Sequence, residues 1–202
     1  RVLAAQGTAE DDLTRAATRW SRTDPASLTP FALHGLHLLP QWYGGEQSLA
    51  LYADRVWSKT HEVLGTAGYA ACYLSAMETG PAVIQTLDTD AFRAGLIDMI
   101  QDSEDLDVTC NAILRTLWEV SGPSYGSEGR DTAAMRRARQ DIRDTFAYLV
   151  HHTLGPVMPD VWGNAWTEER ILHVIGGAFE TEISNGCHIS IGLEGATIHC
   201  PD

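Results

Sequence analysis

The sequence predicts a mostly α-helical chain of antiparallel helical hairpins, stacked in a short solenoid or a bundle, with a small β-hairpin at its C-terminal end. Three observations carry this. Apolar residues recur at helical spacing through roughly the first 180 residues. Proline and glycine mark the joints between these stretches. The last stretch changes to strict alternation of apolar and polar residues. Consecutive amphipathic helices of this length bury their stripes on one another, and 202 residues hold about four hairpins of roughly 34 residues each.

The elements follow in order. A first helix is expected from about Glu10 to Ser21, with Thr8 as N-cap and Glu10, Asp11 and Asp12 in the first turn, where the helix dipole favours acids. Leu13, Ala16, Ala17 and Trp20 share one face, and Asp24-Pro25 stops the helix. Thr29-Pro30 opens a second helix that runs through Leu39 to Pro40. After the turn Gln41–Gly45 a third spans about Glu46 to Leu64, with Gly65 as C-terminal cap. A fourth covers about Ala67 to Met77, a fifth starts at an N-cap Thr89, and a sixth spans about Leu106 to Val120. Residues 121–129 form a glycine- and serine-rich loop. A long seventh helix from about Asp131 to Leu154 and an eighth from about Thr167 to Glu182 complete the core. One domain over 1–202 is expected, with a helical core over 1–185 and a β-hairpin tail over 186–202.

Composition narrows the role. Net charge is −13, with one lysine (Lys59) and thirteen arginines, a balance that repels a phosphate backbone and suits a basic partner. Apolar runs fall far short of the 18 or so residues a membrane span needs. Nucleic acid and membrane are therefore not expected partners; another protein with a basic surface is. There is no phosphate-binding Gly-x-x-x-x-Gly-Lys-Ser/Thr loop and no Gly-x-Gly-x-x-Gly. No cofactor and no catalytic residue is indicated.

Two segments are repeat-like: Leu13–Trp20 with Asp24-Pro25, and Gly44–Ala53. A sharper likeness lies in Leu39-Pro40-Gln41-Trp42-Tyr43-Gly44-Gly45 followed by Leu49-Ala50-Leu51-Tyr52-Ala53. Gly68–Tyr73, Phe92–Leu96 and Asn111-Ala112 come after it in order. Over about residues 10–120 the chain resembles a bacterial family of unknown function with tetratricopeptide-like helices. That resemblance implies a helical-repeat fold and carries no activity with it. Gln41 stands where the family has a basic residue, and Glu46 where it has serine.

The candidate sites are these. Asp88 to Asp107 holds seven acids (Asp88, Asp90, Asp98, Asp102, Glu104, Asp105, Asp107), and Arg130 to Arg143 five arginines. The two runs either pair within the fold or leave Asp98, Asp102, Glu104, Asp105 and Asp107, with Trp42 and Tyr43, to engage a basic protein. In the tail, a hairpin centred between Leu193 and Glu194 sets Cys187 opposite Cys200 and His188 opposite His199, with the cysteines on one face and the histidines on the other. Either Cys187 and Cys200 form a cross-strand disulfide, which points to an oxidising compartment, or they are free thiols. Two function classes follow. The first is a protein-binding helical module, such as an acidic immunity protein that neutralises a bacterial toxin. The other is a metal-dependent enzyme drawing on His34, His37, His61, His151, His152 or His173. Self-association through Trp42, Tyr43 and Trp57 is a third reading.

Overall fold

The computed structural model describes residues 10–24, 26–42, 44–45, 47–122 and 131–201. The chain is mostly α-helical and ends in a two-stranded antiparallel hairpin. Its elements are α1 (Glu10–Thr23), α2 (Thr29–His37), α3 (Ser48–Leu64), α4 (Ala67–Thr79), a 3₁₀ turn (Pro81–Thr86), α5 (Thr89–Gln101), α6 (Leu106–Ser121), α7 (Ala133–Thr153), α8 (Pro159–Trp162), α9 (Glu168–Gly177), α10 (Glu180–Ser184), β1 (His188–Gly192) and β2 (Gly195–His199). Thr8, Pro25, Tyr43, Glu46 and residues 123–130 lie outside the described residues.

Several boundaries differ from the sequence reading for identifiable reasons. Helix α2 ends at His37 instead of reaching Pro40, because the Leu38 and Leu39 amides turn back onto the His34, Gly35 and Leu36 carbonyls. Thr29 lies inside α2 and does not cap it. Asp88, one residue before the expected cap Thr89, accepts the amides of Asp90 and Ala91 at 3.1 and 3.0 Å. The eighth helix is two helices, broken at Ala178–Phe179 after Gly176-Gly177. Glu180 and Glu182 thus open α10, where the dipole favours acids, and do not close a longer helix.

The chain divides into two compact units, one within 1–99 and 123–139, the other within 100–122 and 140–202. In the first, α4 is the buried centre. Ala67, Gly68, Tyr69, Ala70, Ala71, Cys72, Tyr73, Ala76 and Met77 are all buried, which its small residues permit. Helices α2 and α3 and the 3₁₀ turn pack on it. Gly35 of α2 lies so close that a Cβ there would sit 2.5 Å from the Cys72 carbonyl oxygen. Gly68 admits Val56 and Thr60 of α3 in the same way. The Tyr73 hydroxyl donates to the Thr86 carbonyl at 2.9 Å, and the Asp88 amide donates to the Tyr69 hydroxyl at 2.9 Å. Two buried tyrosines of α4 therefore hold both ends of the segment between the 3₁₀ turn and α5.

In the second unit Asn111 is fully buried on α6 and makes four hydrogen bonds. Its Nδ2 donates to the carbonyls of Asp107 and Pro156, both at 2.9 Å. Its Oδ1 accepts from the Met158 amide and the Trp162 indole, both at 3.0 Å. The irregular stretch before α8 is thus fastened to α6 by one side chain.

The hairpin pairs in the register His188↔His199, Ile189↔Ile198, Ser190↔Thr197, Ile191↔Ala196 and Gly192↔Gly195, and Cys187 is disulfide-bonded to Cys200. Its turn docks where the Val157 amide donates to the Leu193 carbonyl at 2.7 Å, and Ile191 reaches Gly176 of α9. Cys72 and Cys110 are free and buried.

Candidate functional site

The turn between α2 and α3 builds one wall of a cleft in the first unit. The Trp42 amide donates to the Leu39 carbonyl at 2.9 Å and the Gly44 amide to the same oxygen at 3.3 Å, so the chain doubles back over four residues. Gly44 lies directly on the Leu38 carbonyl, in a space no Cβ can share. Hence a glycine follows the Trp-Tyr pair: any side chain there would push the wall open. The 3₁₀ turn builds the other wall, held by Tyr73 as described.

Between the walls is a cavity of about 540 Å³, within the size range of small-ligand and peptide-anchor sites. Leu38, Leu39, Pro40, Leu49, Ala82 and Val83 supply apolar lining. Gln41, Gln47 and Gln85 supply carboxamides, each with donor and acceptor capacity. Thr86 also lines it, but its hydroxyl already donates to the Val83 carbonyl at 3.0 Å. None of these side chains is ionisable, so the described lining favours a neutral ligand with its own amides or hydroxyls. Beside Gln41, Trp42 is 53% exposed, its ring perpendicular to that of His37 at 6.3 Å. The sequence reading singled out Trp42 but missed the second wall. The signal available was Gly80-Pro81 followed by a short apolar run, too short for a helix but suited to one 3₁₀ turn.

The acidic run is placed differently. The Asp98 carboxylate accepts the Thr66 amide at 2.6 Å, at the start of α4. Asp105 caps α6 through the Val108 amide at 3.1 Å. Asp107 lies in the first turn of α6, its carboxylate beside Gly155. Asp88, Asp98 and Asp105 thus serve as acceptors for backbone amides at helix starts. Asp102 and Glu104 are exposed. Within the arginine run, Arg139 pairs with Asp131 at 2.9 Å and Arg143 donates to the Ser121 carbonyl.

Among the described residues no group of three or more histidine, cysteine, aspartate or glutamate side chains could hold a metal ion. His34 and His37 are buried on α2, and His34 packs edge-on against Tyr52 at 4.6 Å. His151 contacts the Ala178 carbonyl at 2.9 Å, and His152 stacks on Tyr148.

Burial, and secondarily the neighbouring His37, pull the His34 imidazole down from 6.5 to about 4. Between those values the unfolded chain binds a proton at His34 that the folded chain does not, so stability is full above about pH 6.5 and falls as the pH drops toward 4. His34→Gln is expected to flatten that part of the curve. Urea denaturation at pH 7, 6 and 5 checks it: an equal slope in parent and variant would assign the loss to other groups.

No protein-family model matches the chain, and no curated protein or solved structure matches it either.

Proposed function

We propose that the chain is a protein-binding module whose cleft receives a segment of its partner. The observation that carries this is the lining between the Leu38–Gly45 turn and the 3₁₀ turn. Its apolar floor suits side chains, and Gln41, Gln47 and Gln85 suit the amides of an extended backbone. Trp42 at the edge has the size and exposure of an interface anchor. A net charge of −13 steers a basic partner toward the chain and sets the salt dependence of the encounter. The tetratricopeptide-like resemblance agrees with such a role, and neutralising a basic bacterial toxin is its most specific form.

The test is a displayed library of unstructured peptides panned against the purified chain. Enriched peptides are expected to lose at least about tenfold in affinity, some 1.4 kcal/mol, on Val83→Trp, which fills the cleft, and on Trp42→Ala. The reading fails if no peptide is enriched, or if the enriched ones bind the filled cleft as tightly as the open one.

A further inference from the structure

We infer that the outer face of the C-terminal hairpin binds a divalent transition-metal ion between the imidazoles of His188 and His199. The two residues are direct cross-strand partners. Their place in the ladder follows from the adjacent pair. Cys187 and Cys200 have Cα atoms 4.1 Å apart, the separation of a non-hydrogen-bonded pair, which is about 4.5 Å, against about 5.5 Å for a hydrogen-bonded one. One step inward, His188 and His199 therefore form the hydrogen-bonded pair, with side chains opposite each other on one face. That spacing lets one nitrogen from each ring reach a common ion at the usual 2.0–2.1 Å or so.

The two faces of the hairpin differ. Cys187, Ile189, Ile191, Ala196, Ile198 and Cys200 share one, which meets α9 through Ile191. His188, Ser190, Thr197 and His199 share the other, and all four are exposed. The frame is fastened at both ends, by the disulfide next to the histidines and by the Val157–Leu193 hydrogen bond at the turn. A pair of imidazoles fixed across such a frame is a preorganised bidentate chelator. It favours borderline ions in the order that puts Cu²⁺ first, with Zn²⁺ and Ni²⁺ behind. No third histidine, cysteine or carboxylate joins the pair among the described residues. Water completes the coordination, and the bound ion exchanges readily.

Zinc is the probe for locating the site, because it leaves NMR signals observable. The full chain, with its disulfide intact so that Cys187 and Cys200 do not compete and with the free cysteines Cys72 and Cys110 buried, is titrated with Zn²⁺ and then Cu²⁺. The ring signals of His188 and His199 are expected to shift together and saturate near one equivalent. His188→Gln and His199→Gln are each expected to weaken binding by at least about tenfold, since one imidazole alone loses the chelate advantage. An unchanged Val157 amide signal in each variant verifies that the hairpin is still docked. Zinc shifts confined to other histidines, or undiminished binding in either variant with the hairpin docked, would overturn the assignment.

Discussion

Asn111→Ala is expected to destabilise the second unit by about 3–5 kcal/mol. The side chain is fully buried and satisfies four partners at 2.9–3.0 Å. Removing it leaves the Met158 amide and the Trp162 indole N–H without their acceptor and the Pro156 carbonyl without its donor. Each buried group so orphaned costs about 1–3 kcal/mol, and a cavity adds to the sum. Asn111→Asp separates the two halves of the network. It keeps the acceptor for Met158 and Trp162 but sets a carboxylate against the Asp107 and Pro156 carbonyls. Burial would raise that acid's pKa, so the folded variant would hold a proton that the unfolded chain has lost. Its stability should then rise as the pH falls toward 5, opposite to the parent's trend from His34. Urea denaturation followed by tryptophan fluorescence measures both variants. A loss under 1 kcal/mol for Asn111→Ala would mean that water enters and replaces the amide.

The Asn111 network also shows where sequence reasoning stops. An asparagine inside an apolar helix was visible, but three of its four partners lie 45 to 51 residues away in a stretch without periodic pattern. Helix existence and type were legible because apolar stripes and the proline and glycine breaks between them are local, although the expected N-caps Thr29 and Thr89 were misplaced. The hairpin register was legible for a related reason: Cys187/Cys200 and His188/His199 are symmetric about the turn, and the strand period is two. The split of the last helix was less so, because Gly176-Gly177 weakens a helix without dictating that it breaks. Only half of the cleft was within reach. Pro40, Trp42 and Gly44 announce a tight turn, but nothing local says that Gly80–Thr86 stands opposite; that pairing depends on Tyr73 reaching the Thr86 carbonyl. Charge was the least informative signal. A run of acids reads as a face in one dimension, whereas Asp88, Asp98 and Asp105 each meet backbone amides at a helix start.

The close approach around α4 yields the second large effect, and it reverses an ordinary rule. Gly→Ala inside a helix normally stabilises by up to about 1 kcal/mol, because alanine loses less backbone entropy. At Gly35 the new methyl would stand 2.5 Å from the Cys72 carbonyl oxygen. At Gly95 it would collide with the Thr66 carbonyl oxygen and stand 2.8 Å from the Ala70 Cβ. Neither obstacle is a flexible side-chain end; the carbonyls belong to α4 and the residue before it, so relief requires a whole helix to shift. Overpacking of this kind costs about 1–3 kcal/mol, occasionally more, which outweighs the propensity gain. Gly35→Ala and Gly95→Ala should each lower stability by about 1–3 kcal/mol. Gly177→Ala, at the end of α9 with nothing within 4 Å of the new atom, should leave it unchanged or raise it slightly. Thermal or urea unfolding of the three variants side by side decides the matter. If Gly35→Ala matched Gly177→Ala, α2 would not be in backbone contact with α4, and the wall of the cleft that follows α2 would not be fixed where the Leu38–Gly45 turn now places it.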